Sequence, residues 1–352
     1  MIITENVRVA SRTLTELNLS HLKNLNTDIG VWQHCKGPEP NVDHGYSIDD
    51  VARALIVAVE LWQRGIERQF TSRLGTTCLK FLEKASLGDG KFHNFADKNG
   101  NWLDSVGSED SFGRTLWALA LAHRANLPFA PSERILPLLN LAMNHYSVLG
   151  PLRSRAFVLQ ALSYLPDEHC SEARGLIYKL QGAYYDHSTP DWDWYEPTMT
   201  YCNARVPLAL LLGSKFAVDP EQINGIALKM LDFLLRSSVQ PKIGGYAPIG
   251  NDGWFKKGDI RPAVFDQQPV DAGVLVEACV LAWKTSKKDR YRVAALEAME
   301  WYHGRNINQI PVYSSENGGV YDALTPKGVN YNQGAESILS YIMAKIALDD
   351  LE

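Results

Sequence analysis

Five short stretches of this chain concentrate the side chains that could do chemistry. They are DHGYSIDDVAR (43–53), DSVGSEDSFGR (104–114), DWDWYEP (191–197), FDQQPVDA (265–272) and NYNQGAES (330–337). Each sets carboxylates beside aromatic rings or amides, and each stands just before an apolar run. Flat aromatic faces stack on the apolar faces of sugar rings, while carboxylates and amides bind hydroxyls. Cleaving a glycosidic bond needs one protonated carboxyl for the leaving oxygen and one carboxylate for water or the anomeric carbon. The candidate acids, bases or nucleophiles are therefore Asp50, Glu109, Asp110, Glu196, Asp266 and Glu336. Candidate substrate contacts are His44, Tyr46, Arg53, Trp102, Arg114, Trp192, Trp194, Tyr195, Asn203, Arg205, Trp254, Gln267, Gln268 and Gln333.

Plainer roles compete at several of these positions. Asp49 reads as a helix cap and Ser108 as another, with Asp50 or Glu109 merely favoured as first-turn charges. Arg53 would then be no more than a salt-bridge partner. Glu336 fits a capping-box acid, and Asp266 with Gln267 and Gln268 fits a turn network. The DWDWYEP stretch resists such readings. Pro197 excludes a helix interior, a core would not tolerate its three acids unpaired, and an exposed loop would leave two Trp wet. A ligand-facing loop is expected there.

The elements that must position these stretches are helical. Apolar residues recur with helical period, and the pattern predicts helices near 5–25, 49–64, 71–85, 110–126, 132–147, 151–165, 170–184, 201–215, 220–237, 269–286, 288–304 and 333–350. They alternate in kind. Segments such as DDVARALIVAVELW (49–62) and VDAGVLVEACVLAW (270–283) are apolar nearly all round, which demands burial on all sides. Those between them, such as TSRLGTTCLKFLEKA (71–85), carry a charged face. Six hairpins, each with a buried and a covering helix, predict an all-α (α/α)6 toroid occupying 1–352 as one domain. The long, aromatic and acidic connections all lead into the apolar helices, so they meet at one end of the ring. That mouth is the expected site.

Composition narrows the function classes. With 352 residues, 45% of them hydrophobic, the chain can bury a large core. A net charge of −5 with no basic run argues against nucleic acid or an anionic membrane as partner. No apolar stretch reaches the roughly 20 residues of a membrane span, and the start MIITENVRVA lacks the features of a secretory leader, so a cytoplasmic location is expected. Five scattered cysteines without CxxC spacing fit reduced thiols. No HExxH, GxSxG or P-loop pattern occurs, so neither a metal nor a cofactor is expected. A phosphate could still dock at helix N-termini beside Arg53, Arg114 and Arg205, which keeps phosphorolysis open.

The words HGYSIDDVARALI, DSVGSEDSFGRTLWAL, WDWYEP, YCNARVPLALL, GGYAPIGNDGW, FDQQPVDA and NYNQGAESILSY resemble a bacterial (α/α)6-toroid family. Its members are described as glycosyltransferase-like and are associated with β-mannoside metabolism. The resemblance runs from about Asp43 to the C-terminus. Ser47 and Val51 replace a Cys and an Asn of the family's first motif, whereas Asp49, Asp50 and Arg53 are kept. More broadly the chain is similar to six-hairpin glycosidases, which implies a carboxylate pair at the mouth. The expected activity is hydrolysis of short oligosaccharides, mannose-containing ones among them, by a protein with a functional partner in a glycan-processing pathway. A non-catalytic glycan-binding protein and a sugar epimerase or phosphorylase are the alternatives.

Overall fold

The computed structural model describes residues 14–240 and 244–351. Its helices, in chain order, are α1 (Ser20–Leu25), α2 (Ile48–Gln63), α3 (Arg68–Ala85), α4 (Glu109–Ala125), α5 (Ser132–Ala142), α6 (Leu152–Leu162), α7 (Cys170–His187), α8 (Arg205–Gly213), α9 (Pro220–Ser237), α10 (Pro269–Ser286), α11 (Asp289–Tyr302) and α12 (Ala335–Asp349). The even-numbered helices pack side by side in a closed ring, with α12 returning to α2. Each is covered from outside by an odd-numbered neighbour, and α1 covers α12. The fold is an (α/α)6 toroid.

Burial follows the two kinds of helix. In α2 every residue from Val51 to Val59 is buried, because neighbours enclose it on all sides. In α3 the residues Leu74, Cys78, Phe81 and Leu82 are buried while Arg73, Lys80 and Lys84 meet solvent. Two inner seams close through glycine. A Cβ on Gly113 of α4 would stand 2.7 Å from the Ser154 carbonyl of α6, and one on Gly273 of α10 would stand 2.8 Å from the Ser340 carbonyl of α12. Only a hydrogen side chain lets these backbones approach so closely.

Three expected details change. The first helix is short: Leu14–Glu16 is one 3-10 turn and α1 starts at Ser20, while residues 5–13 of the expected helix lie outside the described residues. Ser47, not Asp49, caps α2, its Oγ accepting from the Asp49 amide at 3.2 Å. That frees the Asp49 carboxylate for another partner. Ser108 caps α4 through the Ser111 amide as expected. Helix α8 begins at Arg205 rather than 201, because Cys202 adopts φ 47° and turns the chain before the helix starts.

The long connections gather at the N-terminal ends of the inner helices and are knitted into a collar. Tyr46–Ser47 pairs with Phe95–Ala96, Thr198–Met199 with Phe255–Lys256, and Gln267 bridges to Leu324. Each pairing joins two neighbouring hairpin loops. A separate cavity of about 180 Å³ lies on the ring axis towards the other end, walled by all the inner helices.

Candidate active site

At the mouth, polar side chains from successive inner helices pair across the seams between them. Arg53 on α2 donates from Nη1 to Asp50 at 3.1 Å and from Nη2 to Glu336 of α12 at 2.6 Å. Arg114 on α4 reaches back to Asp49 on α2. Asp110 on α4 accepts from the Ser154 hydroxyl of α6 and, at 2.5 Å, from the Tyr201 hydroxyl. Arg153 on α6 grips both Glu196 oxygens at 2.9 and 3.0 Å. Asp271 on α10 accepts from the Asn203 amides at 3.2 and 3.4 Å. The repeated acid-then-arginine layout of the sequence is thus the polar stitching of a ring.

The carboxylates fall into different environments. Asp50 and Asp271 each occupy the third residue of an inner helix and are nearly sealed from solvent, with 7% and 5% exposure. Burial pushes the Asp50 carboxyl up to about 7, against the opposing pull of Arg53 and with added repulsion from Glu336. Burial likewise lifts Asp271 to about 7, although the Asn203 hydrogen bonds favour its charge. First-turn amides favour a carboxylate by only about 0.3–1 kcal/mol, so desolvation wins. The Glu336 side chain, by contrast, is 47% exposed and held by an ion pair. One guanidinium bridges Asp50 and Glu336 and so holds two carboxyl groups together at the mouth.

A second group of polar atoms lies beside Asp271. Arg153 Nη2, the Tyr195 hydroxyl and Asn203 Oδ1 are buried and have no hydrogen-bond partner in the protein. The Arg153 guanidinium sits over the Tyr201 ring at 4.7 Å and near the Tyr195 ring at 5.8 Å. Buried polar atoms of this kind are costly unless water or a ligand satisfies them. Donors and acceptors so placed suit the hydroxyls of a sugar.

Several expected contacts are placed elsewhere. Trp192 and Trp194 do not line the mouth: they are 3% and 0% exposed, and the loop tucks them against Phe233 of α9 at 5.2 and 6.5 Å. Tyr195 is also fully buried. Tyr46 stacks on Trp32 at 4.3 Å inside the core, and Gln267 accepts from Trp301 Nε1 at 2.8 Å with no exposure. Glu109 turns to the α5–α6 connection, where it accepts from the Gly150 amide at 2.7 Å. Trp102 stacks on His93 at 4.8 Å. Gln333 accepts from Asn317 at 2.7 Å. Arg205 lies between Gln160 at 2.8 Å and Glu277 at 3.4 Å, over the Trp117 ring, and forms a floor on the axis. Arg53, Arg114 and Arg205 are thus all paired with side-chain acceptors, although Arg205 Nε has no partner among the described residues. Trp254, Asp266 and Gln268 stay half-buried in the collar, and His44 is exposed.

Arg153, His34 and Asp322 belong to this region without a sequence signal, and Asp271, a mouth acid by its place in FDQQPVDA, had no role assigned. Asp271 had a usable signal, since its helix position matches that of Asp50. Arg153 follows a short connection and carries no such mark. His34 stands edge-on to His44 at 4.9 Å between ring centroids, and burial followed by the nearby His44 holds its pKa down. Asp322 accepts from the Gly334 amide and the Ser337 hydroxyl at 2.7 and 2.8 Å. Among the described residues, no group of three or more His, Cys, Asp or Glu is placed to hold a metal ion, and no helix is long and apolar enough to cross a membrane.

No family model and no curated protein matches the chain. Solved structures do. The chain is similar to a sugar epimerase from a ruminal bacterium, with 11% identity, 97% of both chains covered and a TM-score of 0.76. It is similar to a D-mannose isomerase at 14% identity, covering 96% of this chain and 95% of that one, with a TM-score of 0.73. An inactive α-1,6-mannanase variant from Salegentibacter sp. HEL1_6, in complex with α-1,6-mannotetrose, aligns over 98% of this chain and 99% of its own, at 13% identity and a TM-score of 0.64. These likenesses show the fold.

Proposed function

We propose that this chain is a carbohydrate-active enzyme that hydrolyses glycosidic bonds of neutral oligosaccharides at the mouth of the ring. The observation that carries this reading is the Asp50–Arg53–Glu336 bridge. It couples a buried carboxyl that keeps its proton near neutrality to a half-exposed carboxylate across one guanidinium. Two carboxyls held in contrasting environments are the arrangement that divides acid and base roles. Asp50 supplies the proton to the leaving oxygen, and Glu336 activates water or attacks the anomeric carbon. Arg153 and Asn203 orient hydroxyls beside Asp271.

Two further points support this reading. The mannanase structure was made inactive by replacing two consecutive aspartates, and this chain has consecutive acids at the starts of α2 and α4. The resemblance to proteins of β-mannoside metabolism makes mannose-containing chains the first substrates to try. The test is turnover of manno- and gluco-oligosaccharides by wild type, Asp50→Asn and Glu336→Gln. Loss of a general acid or base lowers kcat by about 10²–10⁴. Cleavage at wild-type rates by either variant overturns the assignment.

A second reading rests on the pair His34 and His44, whose rings meet beside Asp322 and Glu336. Two imidazoles could pass a proton on and off a carbon next to a sugar carbonyl, the chemistry of an epimerase or isomerase. The neighbours named as such enzymes fit this alternative. Incorporation of solvent deuterium at C2 of mannose, glucose or cellobiose, abolished by His34→Ala, is its test.

A further inference from the structure

A groove of about 630 Å³ lies outside the acid bridge, between α1, the turn at 37–39 and the connection 314–333. Its volume falls in the range of about 300–1,000 Å³ usual for ligand pockets. One wall presents Tyr331, 66% exposed, with Tyr321 edge-on to it at 5.3 Å between centroids and 73° between planes. The lining also includes Asn24, Glu39, Asn317 and Gln333. No lysine or arginine is among the described residues that line it. The walls are fixed rather than loose. His21 Nε2 meets the Gln333 carbonyl at 2.8 Å, the Gly37 amide donates to Asn332 Oδ1 at 3.0 Å, and Asn317 donates to Gln333 at 2.7 Å.

We propose that this groove is a second carbohydrate-binding site, which holds a neutral segment of an oligosaccharide whose other end lies in the mouth. An exposed aromatic face flanked by amides and carboxylates matches a sugar ring with its hydroxyls. Glu39 and Glu316, with no Lys or Arg beside them among the described lining residues, disfavour phosphorylated or uronic acid units. The two sites are joined through one short segment: Gln333 lines the groove and Glu336 is three residues on, within about 10 Å along the chain. A chain of a few sugar units spans that distance. The substrate is then an oligosaccharide rather than a monosaccharide, an inference that rests on the proposed glycosidase reading.

The experiment measures binding of neutral manno- and gluco-oligosaccharides of increasing length to full-length wild type, Tyr331→Ala and Tyr331→Trp, together with KM on the same series. Tyr331→Ala weakens binding of the longer chains about tenfold, an effect that grows with length and that Tyr331→Trp restores. KM for long chains rises in parallel. Unaltered affinity of Tyr331→Ala for every chain length, no affinity of wild type for any chain, or tighter binding of phosphorylated sugars overturns the proposal. Its failure and that of the glycosidase reading are separable. Tyr331-dependent binding without cleavage supports this site while contradicting hydrolysis; cleavage indifferent to Tyr331 at all lengths does the reverse.

Discussion

Replacing Asp50 with Asn makes the buried carboxyl permanently neutral at nearly constant shape, and its effect on stability has a sign fixed by linkage. In the folded chain burial raises Asp50 from 3.8 to about 7. Below pH 4 the group is protonated in both folded and unfolded chains. Between pH 4 and 7 the unfolded chain releases the proton while the folded chain retains it. Wild type therefore loses stability relative to Asp50→Asn as pH rises, by about 1.4 kcal/mol per unit, and the loss reaches about 4 kcal/mol near pH 7 before levelling off. Urea unfolding of both proteins from pH 5 to 8 reads it, with an expected relative shift of about 3 kcal/mol. A constant difference across this range refutes the reasoning. So does a wild type that gains on the variant as pH rises, because that sign belongs to a carboxyl whose pKa is lowered by folding.

Other outcomes follow from the same geometry. Gly113→Ala forces a methyl against the Ser154 carbonyl and costs about 1–3 kcal/mol by overpacking the α4–α6 seam, read by thermal unfolding. Trp194→Ala empties a fully buried site and costs about 3–5 kcal/mol; unchanged stability with weakened sugar binding would return Trp194 to the mouth. Glu109→Gln keeps an acceptor for the Gly150 amide, so kcat stays within about twofold of wild type, whereas a proton donor at that position would cost about 10²-fold or more.

The helices were legible because burial on all sides leaves a mark that needs no partner to be known. Runs such as 270–283 have no polar face to turn outward, and the long connections before them point to one end of the ring. The fate of the loop aromatics was not legible. For DWDWYEP the composition offers either an unpaired core or a wet surface. The structure takes a third course: Trp192 and Trp194 anchor the loop to outer helix α9, while Glu196 pairs with Arg153 and Asp193 accepts from Tyr184 at 2.7 Å. Those partners lie 9 to 43 residues away, beyond any local pattern. Asp49 shows the same limit on a smaller scale. Both Ser47 and Asp49 are good caps, and only the position of Arg114 on the next inner helix decides between them.

The glycosidase reading is tested most directly by proton NMR of the protein with neutral manno- and gluco-oligosaccharides in D₂O. That one measurement reports both bond cleavage and exchange at C2. Hydrolysis gives new reducing ends of one initial anomeric configuration, no deuterium at C2, and loss of the signal in Asp50→Asn and Glu336→Gln. Deuterium at C2 with every glycosidic bond intact would contradict it and place the chemistry on His34 and His44.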